Sequence, residues 1–457
     1  MLKKFINFYK TSSPAAPLEI SDEAKNKLYK KLRFQAFMAG TIGYSLYYVC
    51  RTSLNVVKKP ILDSGALDAT QLGVIGSSLL FAYAIGKFVN GFLADYSNIK
   101  RFMATGLAVS AIANLLMGVL GFASGAIISS AVLFVAMSIM WAINGWSQSM
   151  GSPPSVIALS RWYPLDKRGT YYGFFSASHN IGEFLSFLFV GSLVATAGWQ
   201  WGFIGSTIAG VLGVIFIIIF MHDTPESKGL PSITVLAHEK ENSADNQSVK
   251  DVQKLALRTP AVWILALASA FMYISRYAIN GWRVLYLQES KGFDLVDATQ
   301  IISINALLGI IGTVFSGWIS DRFFKGSRNI PALVAGVLNT IGLILFVYGG
   351  SSWFINALSM VIFGIAVGVL ISFLGGLMAV DVVPRNATGA AMGVVGMASY
   401  VAAGIQDVVS GALIDSSKTI VDGATIYDFS NAAIFWIGAS IISFMLPILN
   451  WRRKVQE

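Results

Sequence analysis

YVCRTSLN (48–55) sets a full positive charge, Arg51, inside a strongly apolar stretch. YISRYAIN (273–280) repeats the arrangement far downstream at Arg276, with tyrosine, arginine and asparagine at the same spacing. An arginine at the centre of a membrane helix costs about 2.5–3.5 kcal/mol on insertion scales, so a repeated one needs a reason. The apolar setting is general. The chain has 457 residues, 55% hydrophobic and 12% charged, and a soluble domain carries about twice that charge. Apolar runs of spanning length recur from end to end. Twelve spans are expected, at 34–57, 70–94, 101–122, 126–158, 169–196, 200–221, 261–288, 296–320, 329–349, 353–381, 389–415 and 429–450. The fold class is therefore an all-α membrane protein with 12 transmembrane helices.

The net charge of +9 describes topology rather than nucleic-acid binding. Lysine and arginine crowd the tail (1–33) and alternate connections, with Lys100, Arg101, Arg161, Lys167, Arg168, Arg322, Lys325, Arg328 and Arg385 all on one side. The opposite connections show Lys58, Lys59, Lys291 and Lys418. The positive-inside rule places both termini in the cytoplasm. No removable signal segment is read in the first 33 residues. The single cysteine, Cys50, has no intrachain partner for a disulfide.

The only long polar connection, 222–259, divides the chain into two pseudo-symmetric six-helix bundles, 34–221 and 260–450, with a tail at 451–457. The halves agree beyond hydropathy: GFLAD (91–95) and GWISD (317–321) follow each arginine at nearly the same distance and end in Asp95 and Asp321. Internal duplication of this kind belongs to transporters, whose substrates sit near the midplane between repeats.

GYSLYYVCR (43–51), YAIGKFVNGFLADYSN (83–98), WSQSMGSPP (146–154), KRGTYYGFFSASHNIG (167–182), DTPESKGLP (223–231), YISRYAINGW (273–282) and GWISDRFFKGSR (317–328) occur in order. By these the chain resembles the major facilitator superfamily and, within it, the organophosphate:phosphate antiporters, in the hexose-phosphate transporter and receptor branch. The resemblance implies a major facilitator fold and a phosphate site. Arginine forks bind phosphate oxygens in pairs and stay charged, so Arg51 and Arg276 are expected to clamp one phosphate from both halves. Lys87 is carried into the site beside them to help attract the anion, where snorkelling from the cytoplasmic helix end is the duller reading. His179 is carried in as a donor or charged partner, where a plain buried polar residue is the duller reading. Tyr44, Tyr48, Tyr83, Gln148 and Tyr273 are carried in as cavity residues, against packing as the default for each. Asp95 and Asp321 look like gating residues at helix ends, where a carboxylate can meet a helix N-terminus.

The chain also departs from the family pattern. Thr52, Gly281 and Ala306 stand where charged residues are common, and Met392 and Val395 where some hexose-phosphate carriers hold a charged pair. In exchange, Glu183 and Asp407 appear at nearly equivalent positions of the two repeats. They are expected as relocated counter-charges, at least one of them within salt-bridge or water-bridge reach of Arg51, Lys87 or Arg276; a loop-facing or structural role is the alternative. No GxxxxGK[ST] loop is present, which argues against ATP-driven pumping. No catalytic constellation, metal site or cofactor is read, so an enzyme is not expected. The functional expectation is exchange of a sugar phosphate, glucose 6-phosphate first, for inorganic phosphate. The expected protein is a monomer in the bacterial inner membrane. A hexose-phosphate receptor, or an antiporter preferring glycerol 3-phosphate or another organophosphate, would keep the same clamp.

Overall fold

The computed structural model describes residues 7–125, 127–233, 254, 257–324, 328–380, 382–383, 388–421 and 424–450. Most of the expected linker, and the C-terminal tail after 450, lie outside them. The described residues form twelve spans. α1 is Asp22–Asp63, α2 Ala69–Asp95 and α3 Ile99–Ala123. α4 is Ser130–Gln148 continued by Ser152–Trp162. α5 runs in four pieces, Leu165–Ser176, Ser178–Leu185, the π-helical Ser186–Val190 and Gly191–Ala197. α6 is Trp199–Phe220, α7 Pro260–Lys291, α8 Leu295–Phe324 and α9 Asn329–Tyr348. α10 is Trp353–Ser372, extended by a π turn at Phe373–Leu377. α11 is Thr388–Ser416 and α12 Ser430–Met445, with the hairpin β1 (Thr419–Val421) and β2 (Ala424–Ile426) between them.

Among the described residues, eleven helices are long and apolar enough to cross a bilayer. The twelfth span, α1, falls short because tyrosines, serines and Arg51 replace aliphatic residues on it. It is also longer than expected. Ser21 caps it by accepting from the Ala24 amide at 3.3 Å, and Asp22 and Glu23 fill the first turn, where acids suit the helix dipole. Tyr29 and Leu32 are buried while Lys27, Lys30 and Lys31 are exposed, so the extension is an amphipathic continuation of the span. At the other end α1 runs on to Asp63, which takes Lys58 out of the expected connection and into the helix.

The contacts follow the repeat. Within the first half α1 packs on α6 and α2 on α4; within the second α7 packs on α12 and α8 on α10. The halves meet along α2 with α11 and along α5 with α8, two pairs that are images of each other under the repeat. Glycine allows the closest approaches. A Cβ on Gly182 would stand 2.1 Å from the Ser45 carbonyl of α1, so only glycine lets α5 lie this close.

The tail docks on one end of the bundle. Tyr9 accepts from the Asn98 amide at 2.6 Å, Ala15 donates to Glu226 and Leu18 to Gly229. Asp223 gathers the Ser12 amide (2.7 Å), the Ile99 amide (3.1 Å) and the Arg161 guanidinium.

Candidate functional site

Arg51 on α1 and Arg276 on α7 are both buried at the junction of the halves and line one cavity. Each is backed by an asparagine on the third helix of its half, and the two asparagines stand at the same repeat offset as the arginines. Asn114 on α3 donates to the carbonyl of Cys50 at 2.9 Å, and Asn339 on α9 donates to the Ser275 hydroxyl at 3.3 Å. Cys50 and Ser275 immediately precede the arginines, so the two guanidinium stems start from braced segments.

Tyrosines surround the cations. The Arg51 guanidinium lies 4.3 Å from the Tyr83 ring centroid, 5.4 Å from Tyr48 and 5.7 Å from Tyr400. Arg276 lies 5.5 Å from Tyr273 and 5.3 Å from Tyr277. Such distances give cation–π attraction that is strengthened by desolvation. Arg51 also donates to the Tyr277 hydroxyl of the other half at 3.0 Å. Among the described residues neither arginine is in salt-bridge contact with a carboxylate.

The other expected site residues divide. Tyr48, Tyr83 and Tyr273 join this cage. Tyr44 sits one turn back, edge-on to Tyr48 (5.4 Å) and near Phe175 (5.5 Å). His179 lies 5.7 Å from the Tyr48 ring, with its Nε2 buried and unpartnered among the described residues. Lys87 is exposed, 5.1 Å from the Tyr400 ring that Arg51 also faces. Gln148 is not brought to the cavity. It is buried against α1 and α3, donating to the Tyr47 carbonyl at 2.9 Å and to Ser110 at 2.8 Å. It belongs to the network that supports α1. The side chains of Asp95 and Asp321 lie outside the described residues.

Glu183 and Asp407 share the cavity of the arginines, but their direct ion pairs are with other cations. Both line the cavity, yet among the described residues neither forms a salt bridge with Arg51, Lys87 or Arg276. Glu183 accepts from Arg283 at 2.7 Å. Asp407 pairs with Lys58 at 3.4 Å and accepts from the Trp282 indole at 2.7 Å, while Lys58 lies 3.4 Å above the Trp282 ring. The reason is helical spacing. Lys58 and Arg283 each stand two turns beyond the cavity arginine, on the same face. They too are repeat equivalents, separated by the same offset as Arg51 and Arg276. The two bridges are thus images of one another, and each joins opposite halves. Gly76 of α2 accommodates Asp407, since a Cβ there would stand 1.8 Å from its Oδ2. Farther out, Lys59 pairs with Asp63 (2.9 Å) and with Glu289, and Thr70 donates to Asp415 at 3.3 Å. The end opposite the termini is therefore tied across the halves by charge.

Lys58, Arg283, Tyr277 and Tyr400 were missed as site residues. Adding the repeat offset to Lys58 gives Arg283, a signal that the sequence held. Tyr400 has Phe175 at its repeat equivalent and carried no such signal. The cavity is small, about 40 Å³, room for no more than a few waters.

The family model described as Major Facilitator Superfamily matches residues 40–406. The chain belongs to that superfamily and, by its relatives, to the organophosphate:phosphate antiporter branch. It is 34% identical over 402 residues to a probable hexose phosphate transport protein of Chlamydia muridarum, covering 84% of this chain and 85% of that one. It is 30% identical to the glycerol-3-phosphate transporter of Bacillus subtilis over 98% of both chains. It is 31% identical to the membrane sensor protein UhpC of Salmonella typhimurium, over 85% of this chain and 87% of that one. In fold it resembles a bacterial homologue of the human lysosomal transporter Spinster, with a TM-score of 0.73 at 16% identity, covering 93% of this chain and 100% of that one. The relatives named here are transporters and a membrane sensor, not enzymes.

Proposed function

We propose that the protein exchanges a sugar phosphate, glucose 6-phosphate first, for inorganic phosphate by alternating access. It would work as a monomer in the bacterial inner membrane with both termini cytoplasmic. One observation carries the reading: two buried arginines, one from each half, share a cavity, and among the described residues no carboxylate is bonded to either. Two guanidinium forks match one phosphate dianion in charge and in donor geometry. The same charges favour exchange over net uptake. Closing a low-dielectric cavity over two uncompensated cations is costly, and a bound dianion offsets that cost. The loaded carrier then reorients more readily than the empty one. His179, with a free Nε2, is positioned one ring away to add a donor, and Lys87 offers a further cation beside Tyr400. Asp95 and Asp321 remain proposed gating residues.

The likeness to a sensor favours a second reading, in which the same site reports hexose phosphate to a partner. Reconstitution separates the two. The full-length protein alone in liposomes loaded with labelled phosphate should release label when external phosphate or glucose 6-phosphate is added. Binding of both ligands without release of label would leave the receptor reading and reject the exchanger.

A further inference from the structure

The opening motif contains a third repeated residue that the phosphate clamp does not use. Asn55 lies one helical turn beyond Arg51, and Asn280 one turn beyond Arg276. Both line the cavity. Asn280 is buried, with 8% exposure. Asn55 is half-buried. Neither amide has a hydrogen-bond partner among the described residues, unlike Asn114, Asn144 and Asn90, each of which bonds within its own half. Buried amides are normally hydrogen-bonded, and an unpaired one such as that of Asn280 calls for a reason.

Helix geometry gives that reason. A residue at i+4 shares its face with residue i, about 6 Å farther along the axis. The pair therefore forms a second layer, one turn beyond the arginines toward the end closed by Lys58–Asp407 and Arg283–Glu183. A phosphate held by Arg51 and Arg276 would have its ester oxygen and carbon skeleton directed into that layer or away from it. An amide offers two donors and two acceptor lone pairs, which suits hydroxyl groups, each both donor and acceptor. We infer that Asn55 and Asn280 form a polyol subsite that recognises the hydroxyl-bearing part of the substrate. The ligand class is a polyhydroxylated phosphate monoester of hexose size. This inference rests on the phosphate reading of the arginine pair and adds to it the basis of selectivity.

The test is calorimetric titration of the purified full-length protein in detergent with phosphate, glycerol 3-phosphate and glucose 6-phosphate. Asn55→Ala and Asn280→Ala are compared with the parent chain. The readout is the ratio of dissociation constants, each ester against phosphate. One net hydrogen bond is worth about a three- to tenfold change in affinity, so the glucose 6-phosphate ratio should rise by about that factor in each variant. The glycerol 3-phosphate ratio should rise less, because that ligand has fewer hydroxyls and a shorter reach. Should an alanine variant fail to fold, Asn55→Ser and Asn280→Ser read the same ratio. A ratio unmoved in either position, or moved equally for both esters, overturns the subsite while leaving the clamp. A parent chain that binds no phosphate at all overturns the clamp itself.

Discussion

At the scale of the residue, the chain distinguishes cations by what surrounds them. Arg51 and Arg276 face tyrosine rings, Lys58 and Arg283 face acids, and the arginines' planar forks are the part that lysine cannot replace. Arg51→Lys and Arg276→Lys are each expected to lower phosphate exchange in liposomes by about tenfold or more, with insertion and thermal stability retained; near-parental exchange by both would refute the clamp. A different residue sets an acid limit. His222 lies beyond the end of α6, where burial first, and then Lys228 and Lys100, push its imidazole down to about 4. Its Nε2 is 3.1 Å from the Gln35 side-chain oxygen. The unfolded chain takes up this proton near pH 6.5. Stability from neutral His222 is therefore complete above about 6.5 and is lost as pH falls toward 4. Melting in detergent between pH 7.5 and 4.5 should fall less steeply for His222→Gln; an identical slope would exclude the contribution.

At the scale of the element, the twin bridges work because α1 and α7 carry cations at two depths on one face. A buried pair is weak evidence of stability, whereas removing one partner costs about 3–5 kcal/mol. Lys58→Met or Asp407→Asn alone should lower the melting temperature clearly, and the double variant should recover much of the loss; additive losses would mean that the pair is not a unit. Arg283 shows why such a bridge can open: its Nε and Nη1 are buried without partners among the described residues, so exposure to water regains hydrogen bonds as the Glu183 bond is lost. The same elements mark what the sequence could reveal. Span number, the two halves and the arginine pair were legible because apolar length and a repeat at fixed offset are one-dimensional signals. The placement of Glu183 and Asp407 was legible only in part. Their repeat relation was visible, but the partner of Asp407 depends on how deep α1 continues, and that was set by a helix running to Asp63 instead of ending near 57; Arg283, the partner of Glu183, already lay within the expected seventh span and was legible only through its repeat relation to Lys58. Gln148 misled because its neighbourhood in sequence resembles a site, while its amide is used by helix packing. Tyr277 and Tyr400 come together only through the folding of α7 against α11.

At the scale of the molecule, α2 with α11 and α5 with α8 form the seam between the halves, along which the proposed exchange cycle would part them. Thr70 and Asp415 face each other across it, so cysteines at both positions, joined by a short thiol crosslinker, should stop exchange, and a cleavable linker should restore it on reduction. Exchange that continues with the link intact would show that this end does not open. The crossed bridges have an electrical consequence as well. The first half contributes Lys58 and Glu183 to them, and the second contributes Arg283 and Asp407. When the seam parts, each half withdraws with one positive and one negative charge, so the latch displaces no net charge through the membrane field. A potential acts at about 2.3 kcal/mol per elementary charge per 100 mV, and here it has nothing at the latch to act on. Exchange of phosphate for phosphate should keep its rate when a potassium diffusion potential is imposed on the liposomes. Glu183→Gln would unbalance its half by one charge, and the rate should then follow the sign of the potential.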